Sequence, residues 1–371
     1  MIGFEFWYRR CYLYLLASII IYSCNDLPKL DDQTVIPILS SDLSWSVDTI
    51  KLALPDQTRE FPYRTWSHNY ANPQLFAGFD ERLHQINILN TSTMEYEKTL
   101  SLERSGPHGI PNSWGIGSIY YQGKDSIFIL QNTPNMVFLL NDDSEIYWRL
   151  DAAELLKDNY PHTQAAGLFD MFYIYFYKGK IYFPLWKNPE FRDFTEPLIG
   201  RYNKDTEEFT ALNIHYPTTY QNNDFGEYDH PGITFFRDEI YIVFPALPKI
   251  YVYDLQGNHI RTVDMSAELP KAQPLEAGED ARTHAAENPG YLNVQPLANG
   301  KYFVQEAREL FLAPDKKKRK KYTILYNSDF SEYQIIDRQA TPFTFGDEYL
   351  YFPIPPDTTD VQLLERVSIQ E

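Results

Sequence analysis

The stretch GSIYYQGKDSIFILQNTPNMVFLLNDDSEIYWRLD, Gly117 to Asp151, reads as four short strands in succession. Apolar runs cover Ile119 to Gln122, Ser126 to Leu130, Met136 to Leu140 and Glu145 to Leu150. Turn formers separate them at Gly123-Lys124-Asp125, Asn132 to Asn135 and Asn141-Asp142-Asp143. Connections this short can only reverse the chain, so the segment predicts one four-stranded antiparallel meander.

The pattern returns along the chain. Its second strand recurs as Gln74 to Phe79, Ile127 to Gln131, Lys180 to Trp186, Glu239 to Phe244, Lys301 to Gln305 and Glu348 to Phe352. Four of these open alike, on Asp125-Ser126-Ile127-Phe128, Gly179-Lys180-Ile181-Tyr182, Asp238-Glu239-Ile240-Tyr241 and Asp347-Glu348-Tyr349-Leu350, a turn residue leading into alternating apolar positions. A spacing of roughly 50 to 60 residues fits one propeller blade with its loops. Third strands end on polar turns, as in Ile86 to Thr91, Gly200 to Asp205, Tyr251 to Gly257 and Ile324 to Asp329, and fourth strands follow at Tyr96 to Leu102, Glu208 to Ile214, His259 to Met265 and Glu332 to Asp337. Asn, Asp and Gly at these corners are the residues that a tight hairpin needs.

The last repeat is one strand short. Pro342 to Phe345, Tyr349 to Pro353 and Gln362 to Ser368 supply three strands before the chain ends at Glu371. The strand-like run Val47 to Leu54 stands ahead of the first full repeat and is the expected fourth strand, since pairing the two ends of the chain removes the open edges of an incomplete ring. The expected fold is all-β: a six-bladed propeller of four-stranded antiparallel blades, spanning 44–371 and closed by an N-terminal strand in the last blade. Composition agrees, with 29 Tyr, 24 Phe and 6 Trp among 371 residues, all strand formers. The best helical candidate is the short stretch Asp151 to Asn159.

Ahead of the propeller, Arg9 and Arg10 precede an apolar run from Tyr12 to Tyr22, then Ser23 and Cys24. A basic segment, about a dozen apolar residues and a small residue before a cysteine form a bacterial lipoprotein signal. Residues 1–23 are the expected signal peptide, with Cys24 the lipidated N-terminus and 24–43 a polar tether carrying Asn25, Asp26, Asp31 and Asp32. An uncleaved transmembrane anchor fits less well, because about 20 apolar residues are needed to cross a bilayer. The expected place is the cell envelope, held by lipid at the outer membrane and facing either the periplasm or the surface. Cleavage would discard Cys11 and lipidate Cys24, the only two cysteines, leaving neither disulfide nor thiolate chemistry.

The formal charge of −18, from 51 acidic and 33 basic residues, opposes nucleic-acid binding. The exception, Lys316 to Lys321, reads as a solvated loop between strands.

The lipoprotein signal, the length, the six repeats and the loop Glu103-Arg104-Ser105-Gly106-Pro107-His108-Gly109-Ile110 together resemble an uncharacterised family of Bacteroidetes β-propeller lipoproteins, domain-of-unknown-function family 4221. The resemblance covers the whole chain. It implies membrane anchoring and a propeller, and it carries over no activity or catalytic residue.

Propeller topology places the fourth-to-first and second-to-third strand loops on one face, around the mouth of the central channel. His108, His162, His230 and His284 fall in or beside the fourth-to-first set. With Asp170, Asp229 or Glu306 they could hold a divalent metal. No His-x-His or His-x-x-x-His spacing puts two ligands on one element, so no metal and no cofactor is expected. Trp66, Trp114 and Trp186 fall near the same face, where indoles stack on sugars or peptide side chains, although most propeller aromatics pack between blades. The expected ligand-binding set is His108, Trp114, His162, Trp186, His230 and His284. No nucleophile elbow, phosphate loop, dinucleotide fingerprint or zincin motif occurs. The glycines in Gly106-Pro107-His108-Gly109 and Gly115-Ile116-Gly117 precede strands and are turn glycines.

Two function classes follow. One is a non-enzymatic binding or scaffolding lipoprotein that holds a glycan, a peptide or an envelope protein on its loop face. The other is a propeller hydrolase or lyase acting at the channel mouth, metal-assisted or not.

Overall fold

The computed structural model describes residues 35–37, 39–40, 44–55, 63, 65–68, 74–106, 109–111, 115–123, 125–165, 173–187, 194–297, 300–308, 321–336, 349–354 and 361–370. They form six antiparallel sheets in chain order, a six-bladed β-propeller. Blade 1 holds β4 (Thr65–His68), β5 (Leu75–Asp80), β6 (Gln85–Asn90) and β7 (Glu95–Ser101). Blade 2, the segment that opened the sequence reading, holds β8 (Ile116–Gly123), β9 (Ser126–Gln131), β10 (Met136–Leu140) and β11 (Ile146–Asp151). A one-turn helix α1 (Ala152–Leu156) follows, capped by the Asp151 carboxylate, which accepts from Glu154 N.

In blade 3 the innermost strand comes in two pieces, β12 (Thr163–Ala165) and β13 (Tyr175–Tyr177), both paired with β14 (Lys180–Lys187), and β15 (Ile199–Asn203) and β16 (Glu208–Ala211) complete it. Blade 4 holds β17 (Gly232–Phe236), β18 (Glu239–Val243), β19 (Lys249–Asp254) and β20 (His259–Asp264). Blade 5 holds β21 (Gly290–Pro296), β22 (Tyr302–Arg308), β23 (Lys321–Asn327) and β24 (Glu332–Ile336).

Blade 6 closes the ring as expected. Its described strands run in the order β25 (Tyr349–Ile354), β26 (Val361–Gln370), β3 (Ser44–Ala53), with β3 antiparallel to β26 from Ser44↔Gln370 to Ala53↔Val361. The expected strand Pro342 to Phe345 lies outside the described residues. One boundary differs from the sequence reading. β1 (Val35–Pro37) adds in parallel to the outer edge of blade 4 along β20, and β2 (Leu39–Ser40) does the same to blade 5 along β24. Within the 24–43 segment, residues 35–37 and 39–40 are therefore strand. Such short strands give no periodicity to read, and their partners are supplied by distant parts of the chain.

Burial follows radial position. The inner strand β17 is buried at every residue, whereas β7 and β11, on the outer edges, alternate exposed and half-buried positions, with one buried residue each. A strand between two blades is covered on both faces, and an edge strand on one. Apolar side chains accordingly gather in wedges between blades, such as Tyr241, Phe303, Tyr326 and Phe330 between blades 4 and 5. Side-chain hydroxyls tie neighbouring inner strands together: Tyr121 N donates to Ser67 Oγ at 3.1 Å, Ile174 N to Ser118 Oγ at 2.9 Å and Thr234 Oγ1 to Asn293 Oδ1 at 2.6 Å.

The hairpins between third and fourth strands carry Asn or Asp at one equivalent position. Asn90, Asn141, Asn203, Asp254 and Asn327 each accept a backbone N–H from the turn that follows. These side chains take over the backbone's role at the corner.

Candidate functional site

Among the described residues, aromatic side chains crowd the axis of the ring. Trp66, Tyr120, Tyr175 and Phe235, from the inner strands of four blades, converge with Tyr173 and Gln295 on a cavity of about 30 Å³. Tyr175 stacks on Phe235 at 5.2 Å, Trp66 lies 5.8 Å from Tyr173, and Gln295 Nε2 donates to the Tyr173 hydroxyl at 2.8 Å. A space this small holds about one water.

A larger volume lies to one side of it, on the loop face, where a groove of about 720 Å³ runs between the loops that join blades 3, 4 and 5. The loop from blade 3 to blade 4 begins with Tyr216 and the short helix α2 (Thr218–Asn222), continues through Asn223 and Asp224, and ends in a 3-10 turn at Gly226–Asp229. Tyr220 is the pin of this loop: fully buried, it donates to Tyr228 O at 2.9 Å and accepts from Ala246 N at 2.9 Å. Burial holds its phenol well above the usual tyrosine range, so it stays protonated. Tyr216 adds a bond to Asp229 O at 2.8 Å.

The loop from blade 4 to blade 5 supplies the opposite wall. Helix α3 (Ala281–Glu287) begins at Asp280, whose carboxylate accepts from Thr283 N at 2.9 Å; that bond keeps it below the usual carboxylate range. The two walls are joined directly. Leu275 N donates to Asp224 O at 2.8 Å, and the Tyr228 hydroxyl reaches Ala285 O and Asn288 O, each at 2.8 Å. Such cross-links fix the groove before any ligand arrives, which lowers the ordering cost of binding.

At the end nearest blade 3, His230 stacks on Trp186 at 5.8 Å and pairs through Nδ1 with the Asp229 carboxylate. Trp186 Nε1 is buried without a hydrogen-bond partner among the described residues. Phe194 forms the adjoining wall, with its ring edge-on to Tyr216 at 4.8 Å and its backbone at φ +58°, where a bulky side chain is strained.

Of the six expected site residues, the structure brings two together, Trp186 and His230. His162 is exposed, directly before β12, whose next residue Thr163 pairs with Lys187 beside Trp186. His284 departs from expectation: it is 1% exposed, held inside the packing of α3 by a 2.7 Å bond from its Nε2 to Gln273 O and an edge contact with Tyr228. Its helical position puts it on the buried stripe with Ala285, which a loop assignment alone does not reveal. His108, Trp114 and Asp170 lie outside the described residues. Trp66 helps fill the channel and stacks on Phe76 at 5.5 Å, the packing role that most propeller aromatics take. Glu306 is engaged with Arg308 at 2.8 Å and Lys321 at 3.3 Å, away from any histidine partner. Among the described residues, no group of three or more His, Cys, Asp or Glu is placed to hold a metal ion.

Sequence reasoning missed Phe194, Tyr220, Asn222 and Asp224. The available signal was the density of Tyr216-Pro-Thr-Thr-Tyr220-Gln-Asn-Asn-Asp-Phe225, aromatics and amides packed into one interblade loop.

No family model and no curated protein matches the chain. Its fold is shared with solved structures. A member of domain-of-unknown-function family 4221 from Bacteroides vulgatus superposes with a TM-score of 0.69 at 16% identity, covering 88% of this chain and 99% of that one. A putative exported protein from Bacteroides fragilis superposes with a TM-score of 0.59 at 10% identity, covering 91% and 100%. At these identities the likeness concerns architecture.

Proposed function

We propose that this chain is an exported, lipid-anchored envelope protein of the family 4221 type, and that it works as a non-enzymatic binding propeller. The observation that carries the binding role is the preformed groove of about 720 Å³ on the loop face, beside an axis whose cavity among the described residues is about 30 Å³. Cys24 and the apolar run before it motivate the anchor, and among the described residues no helix is long and apolar enough to cross a membrane. The ligand is a glycan, a peptide or a segment of another envelope protein. The groove's size falls within the roughly 300–1,000 Å³ of pockets that bury a drug-sized ligand.

The test uses full-length lipoprotein in detergent, titrated with a panel of short oligosaccharides and peptides. Saturable binding that falls at least tenfold when Asn222→Trp fills the groove supports the reading. Binding that ignores this substitution contradicts it.

One observation favours the enzymatic alternative. The Asp229 carboxylate lies against Nδ1 of His230, the kind of neighbour that orients an imidazole acting as a general base. If the bound panel member is converted to product, and His230→Asn abolishes conversion while retaining binding, the protein is a hydrolase or lyase instead.

A further inference from the structure

Taking the groove as the binding site, as proposed above, its chemistry narrows the ligand. Among the described residues, aromatic side chains, amides and carboxylates line it, with no Lys or Arg in the lining. Residues 221–230 and 275–288, which form its two walls, carry seven Asp or Glu and one basic residue, Arg282. An anionic ligand would enter the negative field of these walls, which raises the cost of its desolvation. A cationic ligand fares little better, because two of the three lining carboxylates are already engaged: Asp229 with His230 and Glu227 with Arg282 at 3.6 Å.

What remains is hydrogen bonding combined with aromatic surface. Gln221 and Asn222 are exposed, and Asn223 is half-buried. Local bonds hold two of these amides, Gln221 Nε2 to Tyr216 O at 3.1 Å and Asn223 Nδ2 to Thr219 O at 2.9 Å. Asp224 accepts from Gly226 N through Oδ1 at 2.8 Å, and its second oxygen is a further acceptor. Ordered amides and a carboxylate suit a ligand that presents both hydroxyl donors and hydroxyl acceptors. The half-buried Phe194 ring, held in place by Tyr216 at 4.8 Å and Tyr220 at 6.3 Å, provides the apolar face. A pyranose has both kinds of surface, with hydroxyls around its rim and C–H groups on its face.

We infer that the groove between the loops of blades 3, 4 and 5 binds a neutral oligosaccharide, with Phe194 as the stacking platform and Asn222, Asn223 and Asp224 as the hydroxyl-binding edge. Its volume admits a short chain of sugars rather than a single ring.

The experiment titrates full-length protein with neutral tri- and tetrasaccharides from glucan, mannan and galactan, with their uronic-acid counterparts, and with short basic and acidic peptides. The expected result is saturable binding of at least one neutral oligosaccharide, with its uronate at least tenfold weaker. Asn222→Ala and Asp224→Ala, both at exposed positions, should each weaken the neutral ligand fivefold or more without lowering the melting temperature. Asp224→Arg should narrow or reverse the preference against the uronate. Phe194→Ala should abolish binding and Phe194→Trp should restore it. Absence of binding by every neutral member, or a uronate or peptide that binds more tightly and responds to Asn222→Ala, overturns the neutral-glycan assignment while leaving the groove reading intact. Neutral-glycan binding indifferent to Asn222, Asp224 and Phe194 overturns both.

Discussion

Tyr220 shows how much of the site rests on single residues. Its ring is buried against Phe225 at 4.8 Å and Phe244 at 5.4 Å, and its hydroxyl serves as donor and acceptor at once. Tyr220→Phe leaves Ala246 N–H and Tyr228 C=O without that partner, and each buried group left unsatisfied costs about 1–3 kcal/mol. The expected outcome, read by chemical denaturation, is a loss of a few kcal/mol together with weaker ligand binding. Glu239 gives a pH-dependent case. Partial burial alone would raise its pKa, but the fork of Arg261, at 2.8 and 3.2 Å, and the Tyr241 hydroxyl outweigh burial and hold the carboxyl below the usual range. A depressed folded pKa contributes stability above the unfolded value near 4.5, and that stability is lost as pH falls through the folded value. Glu239→Gln should therefore destabilise the protein at pH 7, with the melting-temperature gap to wild type shrinking below about pH 4.5. A gap independent of pH would show that the ion pair contributes nothing.

At the scale of elements, strands were legible where apolar periodicity and Asn, Asp or Gly corners coincide. Blade 2 emerges as read, and the second strands of all six repeats are found within a few residues of their expected limits. Val47 to Leu54 could be placed because the last repeat lacked a partner, and β3 fills that position. The parallel additions β1 and β2 were invisible, since two or three residues carry no period. Nor does sequence spacing show that a loop histidine such as His284 belongs to the buried side of a short helix. Two predictions belong here. Deleting Asp42 to Pro55 removes β3 and exposes β26, so the protein should melt much earlier or aggregate; a deletion mutant that melts like wild type would remove the case for closure by this strand. Gly232→Ala places a methyl 2.8 Å from Asn293 Cα and 3.0 Å from its N, where the inner strands of blades 4 and 5 meet. Backbone cannot yield as a side-chain tip can, and overpacking of this kind costs about 1–3 kcal/mol by denaturation. Unchanged stability would mean that the two blades can slide apart.

At the scale of the whole molecule, the ring decides where function can reside. Aromatics from the described inner strands of blades 1 to 4 crowd the axis, and the hairpins between third and fourth strands are tight and self-satisfied. Long interblade loops on the opposite face have the freedom to build a site, and those of blades 3 to 5 enclose the groove. Attachment, on the proposed reading, is a separate property of the N-terminus. Cys24→Ala should move the protein from the membrane fraction to the soluble one, because the acyl chains supply the strong attachment; a mutant that stays with membranes after a high-salt wash would refute lipid anchoring. The face that sequence topology nominated is the face that carries the groove. Its chemistry was not legible, because Phe194, Asn222 and Asp224 meet only once three blades are in place.

Hydrogen–deuterium exchange on the full-length protein, with and without a saturating neutral oligosaccharide from the binding panel, tests the groove most directly. The account predicts slowed exchange within 218–230 and 275–288, with the turns at 91–94, 204–207, 255–258 and 328–331 on the other face unchanged. Protection confined to those turns, or none within the two groove loops at saturation, would contradict it.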